Sequence, residues 1–342
     1  MKICFISGAF QPGSCGVSDY IDLLNREILK NGHCFENYPI ESLSDSNNPP
    51  YDLPDADIYS VQFSPYAFSS HGLSGNLLNK LGLALRGKKV HVNFHEIWIG
   101  AYPRPSWKES IIGSFQKSRI SKFLRVSRPI LINASNSAAI HRLRAEKINA
   151  KYLYLFGNIP FNHEAKTTFS KNTLKIAFFG TLYDSFPYSL LEKKLLQIAR
   201  LSNKKIELLV IGRRRNSSSY SVLEKAAHRN NFNISKTGAL DPKAISLELQ
   251  NSSFGISTTP FDVLGKSGAT AAMLEHGLQV LAYDDHDTPE ESLFLFKPFD
   301  GKVTLLNDPE CHLSIIDAIQ HPRKNFFNGV AHVTDRMLSL KN

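Results

Sequence analysis

Short apolar runs rich in Val, Ile, Leu and Phe alternate along the chain with stretches whose apolar residues return every three or four positions. The first pattern marks strands buried on both faces and the second marks amphipathic helices. Their regular alternation predicts βαβ units and parallel sheets, an α/β fold. Strands are expected at 2–7, 58–63, 89–94, 129–133 and 151–155, then at 174–179, 206–211, 254–257 and 278–283. Helices are expected at 20–31, 188–202, 221–230 and 269–276. A polar stretch at 162–172, NHEAKTTFSKN, lacks apolar period and precedes a fresh strand, so it predicts the boundary between two doubly wound domains. The domains are expected at 1–162 and 172–322, followed by a last segment, 323–342. In such sheets ligands sit beyond the C-terminal ends of the strands, which directs attention to the loops there.

A length of 342 residues exceeds the usual size of one core and agrees with two domains. No apolar run approaches the roughly 18 residues of a membrane span. The opening MKICFIS has too short an apolar part for a secretory signal and is expected to be a buried strand. Cys4, Cys15, Cys34 and Cys311 have neither metal-ligand spacing nor the density of a disulfide framework, which suits a reducing cytoplasm. No metal is expected, because His91 and His95 share one strand with no third ligand. The formal charge of +9 points to an anionic partner: a charged substrate, a nucleic acid or a membrane surface.

Candidate chemistry concentrates in DVLGKSGATAAMLEHGLQVLAYDD, which starts at Asp262. Lys266, Ser267, Gly268 and Ala269 stand where a loop turns into a helix. Free backbone N–H groups and the helix dipole favour an anion there, and Lys266 adds a positive charge. A plain helix cap by Ser267 is the structural alternative. A Walker-type loop is excluded, because the glycine it needs five positions before Gly265 is Pro260.

The order of loop, helix, glycine and strand, closing on Gly277 and GLQV, resembles the nucleotide-sugar-binding core of GT-B glycosyltransferases. The resemblance is to the large retaining group, glycosyltransferase family 4-like, whose pattern is E-G-x-G-x-x-x-x-E-A-x-x-x-G-x-P-V. Leu264 and Ala272 stand where that group carries glutamates, and Gln279 where it carries proline. The resemblance implies two Rossmann-like domains facing a central cleft, with the last helical stretch, about 324–340, crossing back to the first. It implies a nucleoside-diphosphate sugar as co-substrate, no further cofactor, and a variant KSG loop that grips the diphosphate through Lys266 and the helix amides. With both glutamates absent, Asp262 or Glu275 is left to reach the donor ribose.

Three other loops fit the same resemblance. SGAFQPGSCGVSDY implies that Gly13 to Gly16 approach the donor phosphates, the alternative being a tight surface turn. FFGTLYD places Thr181 where the family has phosphate-contacting basic residues, and VIGRRRNSSS offers Arg213, Arg214 or Arg215 for bidentate phosphate contact or as a solvated basic loop. VHVNFHEIWIG ends a strand at His95, similar to the histidine such enzymes present near sugar and acceptor; a core histidine is the alternative. Retention of anomeric configuration is the family's outcome. An inverting reaction would need a base at the acceptor hydroxyl, for which Asp19 and His95 are the candidates, although Asp19 also suits a helix cap.

The segment 108–128 interleaves Lys108, Lys117, Arg119, Lys122, Arg125 and Arg128 with apolar residues. It reads either as a packed helix with a basic outer face or as an interfacial helix on an anionic membrane. Trp98, Tyr102 and Trp107 nearby suit a sugar ring or an interface. The function expected from all of this is transfer of a sugar from its nucleotide to a glycan, lipid-linked glycan or small-molecule acceptor, in the cytoplasm or at the inner face of a membrane. A nucleotide-sugar epimerase of the same fold and a non-catalytic basic protein that binds membrane or RNA are the alternatives. No RNA-binding signature is present, so no specific nucleic acid is expected.

Overall fold

The computed structural model describes residues 1–341 apart from 14, 41–51, 69–74, 103–104, 169, 213–216, 285–298, 300 and 322–325. The chain divides into two compact units, Met1–Tyr154 with the C-terminal segment from Val330, and Leu155–Gly329.

In the first unit β1 (Lys2–Ser7), β2 (Cys34–Pro39), β3 (Ile58–Phe63), β4 (Val90–Phe94), β5 (Leu131–Ala134) and β6 (Lys151–Tyr152) form one parallel sheet in the order β2-β1-β3-β4-β5-β6. Ile3 pairs with Ile58 and Ile6 with Val61. Residues 3–6 have no exposure at all, because helices cover both faces of a central parallel strand, and this is why the strand reads as a continuous apolar run. Helix Gly16–Lys30 buries Tyr20, Ile21, Leu24 and Ile28 at helical spacing. Helix Trp107–Ser127 opens with a reciprocal cap: Glu109 N–H donates to Ser106 Oγ at 3.3 Å and Ser106 N–H to Glu109 Oε2 at 2.9 Å. It buries Ile120, Phe123 and Leu124 and ends at Arg128 in the left-handed region, φ 49°.

In the second unit β7 (Thr173–Phe179), β8 (Lys205–Ile211), β9 (Asn233–Lys236), β10 (Phe254–Ile256), β11 (Val280–Ala282) and β12 (Val303–Leu305) form a second parallel sheet, ordered β12-β11-β10-β7-β8-β9. Its core includes Phe178 and Phe254, each almost fully enclosed and each contributing about 1.5–3 kcal/mol by burial. Every expected strand is present, with ends moved by up to three residues. The three unexpected ones, β2, β9 and β12, are all sheet-edge strands, which are short or polar and carry no apolar run. Helices Gly16–Lys30 and Ser217–Arg229 begin four residues before their expected starts, because their first turns are polar or small and carry no apolar period.

Strand order reverses between β1 and β3 in the first sheet and between β7 and β10 in the second. Crossovers leave on opposite faces at such points, and a crevice opens beyond the strand ends. The loops after β1, β7 and β10 therefore lead directly into each unit's natural binding position.

Candidate active site

In the second unit the loops after β7 and β10 are tied together. Thr258 Oγ donates to Thr181 O at 2.7 Å and accepts from Tyr183 N–H at 3.1 Å. After β10 the chain makes a 3-10 turn, Phe261–Lys266, and enters helix Gly268–Glu275 at Ser267. Gly180, φ +94°, takes a backbone conformation that side chains resist, and a Cβ there would stand 2.8 Å from that of Ala269. The end of β7 thus lies directly against the start of this helix.

Ser267 acts as the helix cap. Its hydroxyl accepts from Thr270 N–H at 3.2 Å and lies 2.9 Å and 3.3 Å from the hydroxyls of Thr270 and Thr259, while its own N–H donates to Leu264 O. The next two amides, Gly268 and Ala269, belong to the first turn and have no acceptor within the helix. Among the described residues no atom lies within 4 Å of a Cβ built on Gly268. Lys266 is exposed beside them, and Asp262 sits in the same 3-10 turn. The arrangement offers an anion two backbone donors, a helix dipole and an ammonium group. Thr181 is exposed at the same edge. Arg213, with Arg214 and Arg215, lies outside the described residues.

Glu275 is not brought to this end of the helix. It is the helix's last residue, two turns away and buried; its Oε1 accepts from Gly157 N–H at 3.0 Å and its carbonyl from Phe327 N–H at 3.2 Å. A Cβ on Gly157 would meet the Ala272 backbone at 2.6 Å, so glutamate and glycine together dock the 155–159 segment onto the helix. Leu264 and Ala272, where the resembling group has glutamates, are both buried and serve packing.

In the first unit the loop after β1 folds back over the start of helix Gly16–Lys30. Ser18 Oγ accepts from Gln11 N–H at 3.0 Å and donates to Ala9 O at 3.2 Å, and Asp19 accepts from Gly13 N–H at 2.5 Å. Asp19 therefore braces the loop, and Cys15 at the N-cap position provides no side-chain cap. Gly16 opens the helix with no atom of the described residues within 4 Å of a Cβ built there. His95 lies just past β4, half-buried, in a T-shaped contact with the Tyr20 ring at 4.9 Å between centroids, so His95 and Asp19 share this edge of the sheet. His95 Nε2 lies 2.8 Å from Gln62 Oε1. Burial, with a smaller contribution from nearby His91, pushes the His95 imidazole down to about 4, so it is neutral at pH 7.

Sequence reasoning missed Gln62, Ser60 and Asn133. They are polar positions inside apolar strands, and only the register of three strands aligns them beneath His95. The isolated polar residues in YSVQF and LINAS were the available signal.

The basic helix carries its features on opposite faces. Trp107, Ile111 and Phe115 are 70%, 49% and 62% exposed and follow one another at four-residue spacing; Lys122 and Arg125 continue the same face, with Lys108 and Arg119 flanking it. Lys117 instead turns inward to Glu146 at 2.6 Å and over the Trp98 ring at 5.0 Å. Among the described residues no helix is long and apolar enough to cross a membrane, and no three His, Cys, Asp or Glu side chains gather as a metal site.

No family model and no curated protein matches the chain. Solved structures do match over its whole length. A sucrose-phosphate synthase from Thermosynechococcus elongatus superimposes with a TM-score of 0.58 at 10% identity, covering 100% of this chain and 95% of its own. HepE of Anabaena, solved with UDP, gives 0.53 at 13% identity, covering 100% and 95%. The UDP-GlcNAc 2-epimerase of Methanocaldococcus jannaschii gives 0.52 at 12% identity, covering 99% of each chain. These likenesses give the fold: two Rossmann-like α/β units, the GT-B architecture.

Proposed function

We propose that the protein is a glycosyltransferase that draws on a nucleoside-diphosphate sugar. The observation that carries this reading is the start of helix Gly268–Glu275, where the amides of Gly268 and Ala269, which have no acceptor among the described residues, open beside Lys266 at the strand-order reversal of a GT-B second unit. A diphosphate laid on these amides meets the positive end of the helix dipole. As the bond from the anomeric carbon to the phosphate oxygen breaks, charge grows on that oxygen. Donors already fixed in place stabilise it without reorganisation. In this reading Thr181 and Asp262 border the nucleotide, Gly16 and Asp19 shape the first unit's loop, and His95 faces the sugar or acceptor. No cofactor is called for beyond the sugar nucleotide itself.

The exposed Trp107–Ile111–Phe115 stripe with Lys122 and Arg125 supports a second element of the proposal, an acceptor carried on or near an anionic membrane surface. An epimerase reading draws on the similarity to UDP-GlcNAc 2-epimerase, which matches as fully as the transferases do. It differs in needing no acceptor, so UDP-GlcNAc would be converted by the protein alone.

The test is a thermal-shift series with UDP, GDP, ADP, dTDP and CDP and their sugars, repeated on Lys266→Ala. A ligand bound only by the folded state raises the midpoint by mass action. A shift for one diphosphate that shrinks in the variant is expected; no shift with any of them contradicts the proposal.

A further inference from the structure

A chain of polar side chains crosses three strands of the first sheet, β3, β4 and β5. Ser60 and Gln62 on β3, His91 and Asn93 on β4 and Asn133 on β5 share one face, and each is less than 5% exposed. Asn133 Nδ2 donates to Lys151 O at 2.9 Å. His91 Nε2 lies 2.9 Å from Asn133 Oδ1, and Ser60 Oγ lies 2.9 Å from His91 Nδ1. Gln62 Nε2 donates to Ser60 Oγ at 2.7 Å, while Gln62 Oε1 receives Asn93 Nδ2 at 3.1 Å and faces His95 Nε2 at 2.8 Å.

The chain has a direction because one end is a backbone carbonyl, which can only accept. Lys151 O therefore turns the Asn133 amide so that its oxygen faces His91, and that oxygen requires a proton on His91 Nε2. Burial pushes the His91 imidazole down to about 4, so at pH 7 its Nδ1 carries no proton and must accept the Ser60 hydroxyl. Ser60 oxygen then accepts from the Gln62 amide nitrogen, and the Gln62 oxygen is left to accept from His95. Each link determines the next, over three strands.

We propose that Gln62 is a positioning residue, and that the chain running from Lys151 O through Asn133, His91 and Ser60 locks His95 in its Nε2–H tautomer, leaving Nδ1 as an acceptor only. Both polar contacts of the ring fall on Nε2, and Asn93 Nδ2 at 3.5 Å is too distant to compete with Gln62 Oε1 at 2.8 Å; none among the described residues falls on Nδ1. A neutral imidazole held this way receives a hydroxyl and repels a phosphate oxygen, so His95 selects for a sugar or acceptor hydroxyl rather than for the leaving diphosphate. The ligand part of this inference rests on the transferase reading; the tautomer part does not.

The experiment is nitrogen-15 NMR of the imidazole groups in the full-length protein at pH 7, without ligand, for wild type, Gln62→Leu and Asn133→Leu. Wild-type His95 is expected to carry its proton on Nε2 and to remain neutral. Gln62→Leu removes its acceptor, and Asn133→Leu removes the anchor without touching His95; both are expected to give a mixture of tautomers. A purely structural role for the chain would leave the His95 signals of a folded Asn133→Leu unchanged. A wild-type proton on Nδ1, a charged His95 at pH 7, or a retained Nε2–H tautomer in the folded variants overturns the proposal. If one variant does not fold, the wild-type spectrum and the other variant still decide. Failure to bind any sugar nucleotide would refute the transferase reading while leaving the spectra intact, so the two failures are separable.

Discussion

Replacing Gly180 by alanine strikes the junction of β7 and helix Gly268–Glu275 in two ways. The residue holds φ at +94°, and a left-handed backbone costs an L-residue about 1–2 kcal/mol. The added Cβ would stand 2.8 Å from the Cβ of Ala269, which sits on the helix and cannot rotate aside, so strand end or helix start must move. Forcing one methyl into a packed contact costs about 1–3 kcal/mol. The sum is about 2–5 kcal/mol, or a fall in midpoint of roughly 4–20 °C for a unit of this size. Calorimetric unfolding of the whole chain reads that loss, and titration with a nucleoside diphosphate reads the displacement of the Gly268 and Ala269 amides. Gly16→Ala is the contrast, because nothing among the described residues lies within 4 Å of its Cβ and stability should hold. A Gly180→Ala midpoint within about 1 °C of wild type, with unchanged diphosphate affinity, would refute the close packing on which the site is built.

His91 should make the fold sensitive to acid: its pKa lies near 4 in the fold against an ordinary 6.5, so the unfolded chain takes up the proton first. The contribution of His91 is complete above about pH 6.5 and is lost toward pH 4 at up to about 1.4 kcal/mol per pH unit, of order 3 kcal/mol; His95, held equally low by burial, adds a loss of the same sign, so urea unfolding across that range should give His91→Gln a shallower profile than wild type, and a parallel profile would contradict it. Glu275→Gln keeps an oxygen for the Gly157 amide and should leave diphosphate binding unchanged at a stability loss below about 1.5 kcal/mol; a large drop in nucleotide affinity would return Glu275 to the donor site. Trp107→Ser with Phe115→Ser should reduce co-sedimentation with phosphatidylglycerol vesicles, and Lys122→Ala should weaken it more than Lys117→Ala, whose charge is already paired with Glu146. Equal loss from both lysines would point to bulk charge instead of that helix face.

The central strands were legible because a parallel strand buried on both faces must be apolar throughout, as ICFI at 3–6 is. Edge strands were not: CFENYP of β2 is interrupted at its centre by Glu36 and Asn37 and so has no apolar run, and β12 has three residues. The turn into helix Gly268–Glu275 was legible from Gly, Lys and Ser in series, but the division of labour was not. Whether Ser267 offers its hydroxyl or spends it on Thr270 depends on a loop closed by Thr259. Glu275 looked available because sequence distance hides that seven residues carry a side chain two turns down the helix, where Gly157 meets it. The chain from Asn133 to Gln62 was least legible of all, since its members lie on three strands and only sheet register brings them into line.

The most direct test of the central claim is a calorimetric titration of UDP, or of whichever diphosphate shifts the wild-type midpoint, into wild type and Gly268→Pro. Proline suits the first helical position, and Ser267 before it is already extended, φ −89° and ψ 100°, so the fold should hold while one backbone donor disappears. A hydrogen bond to a charged group contributes about 1.5–3 kcal/mol, so the account predicts a loss of roughly 10- to 150-fold in affinity at unchanged stability. Wild-type binding retained in full by Gly268→Pro would contradict a diphosphate site at this helix.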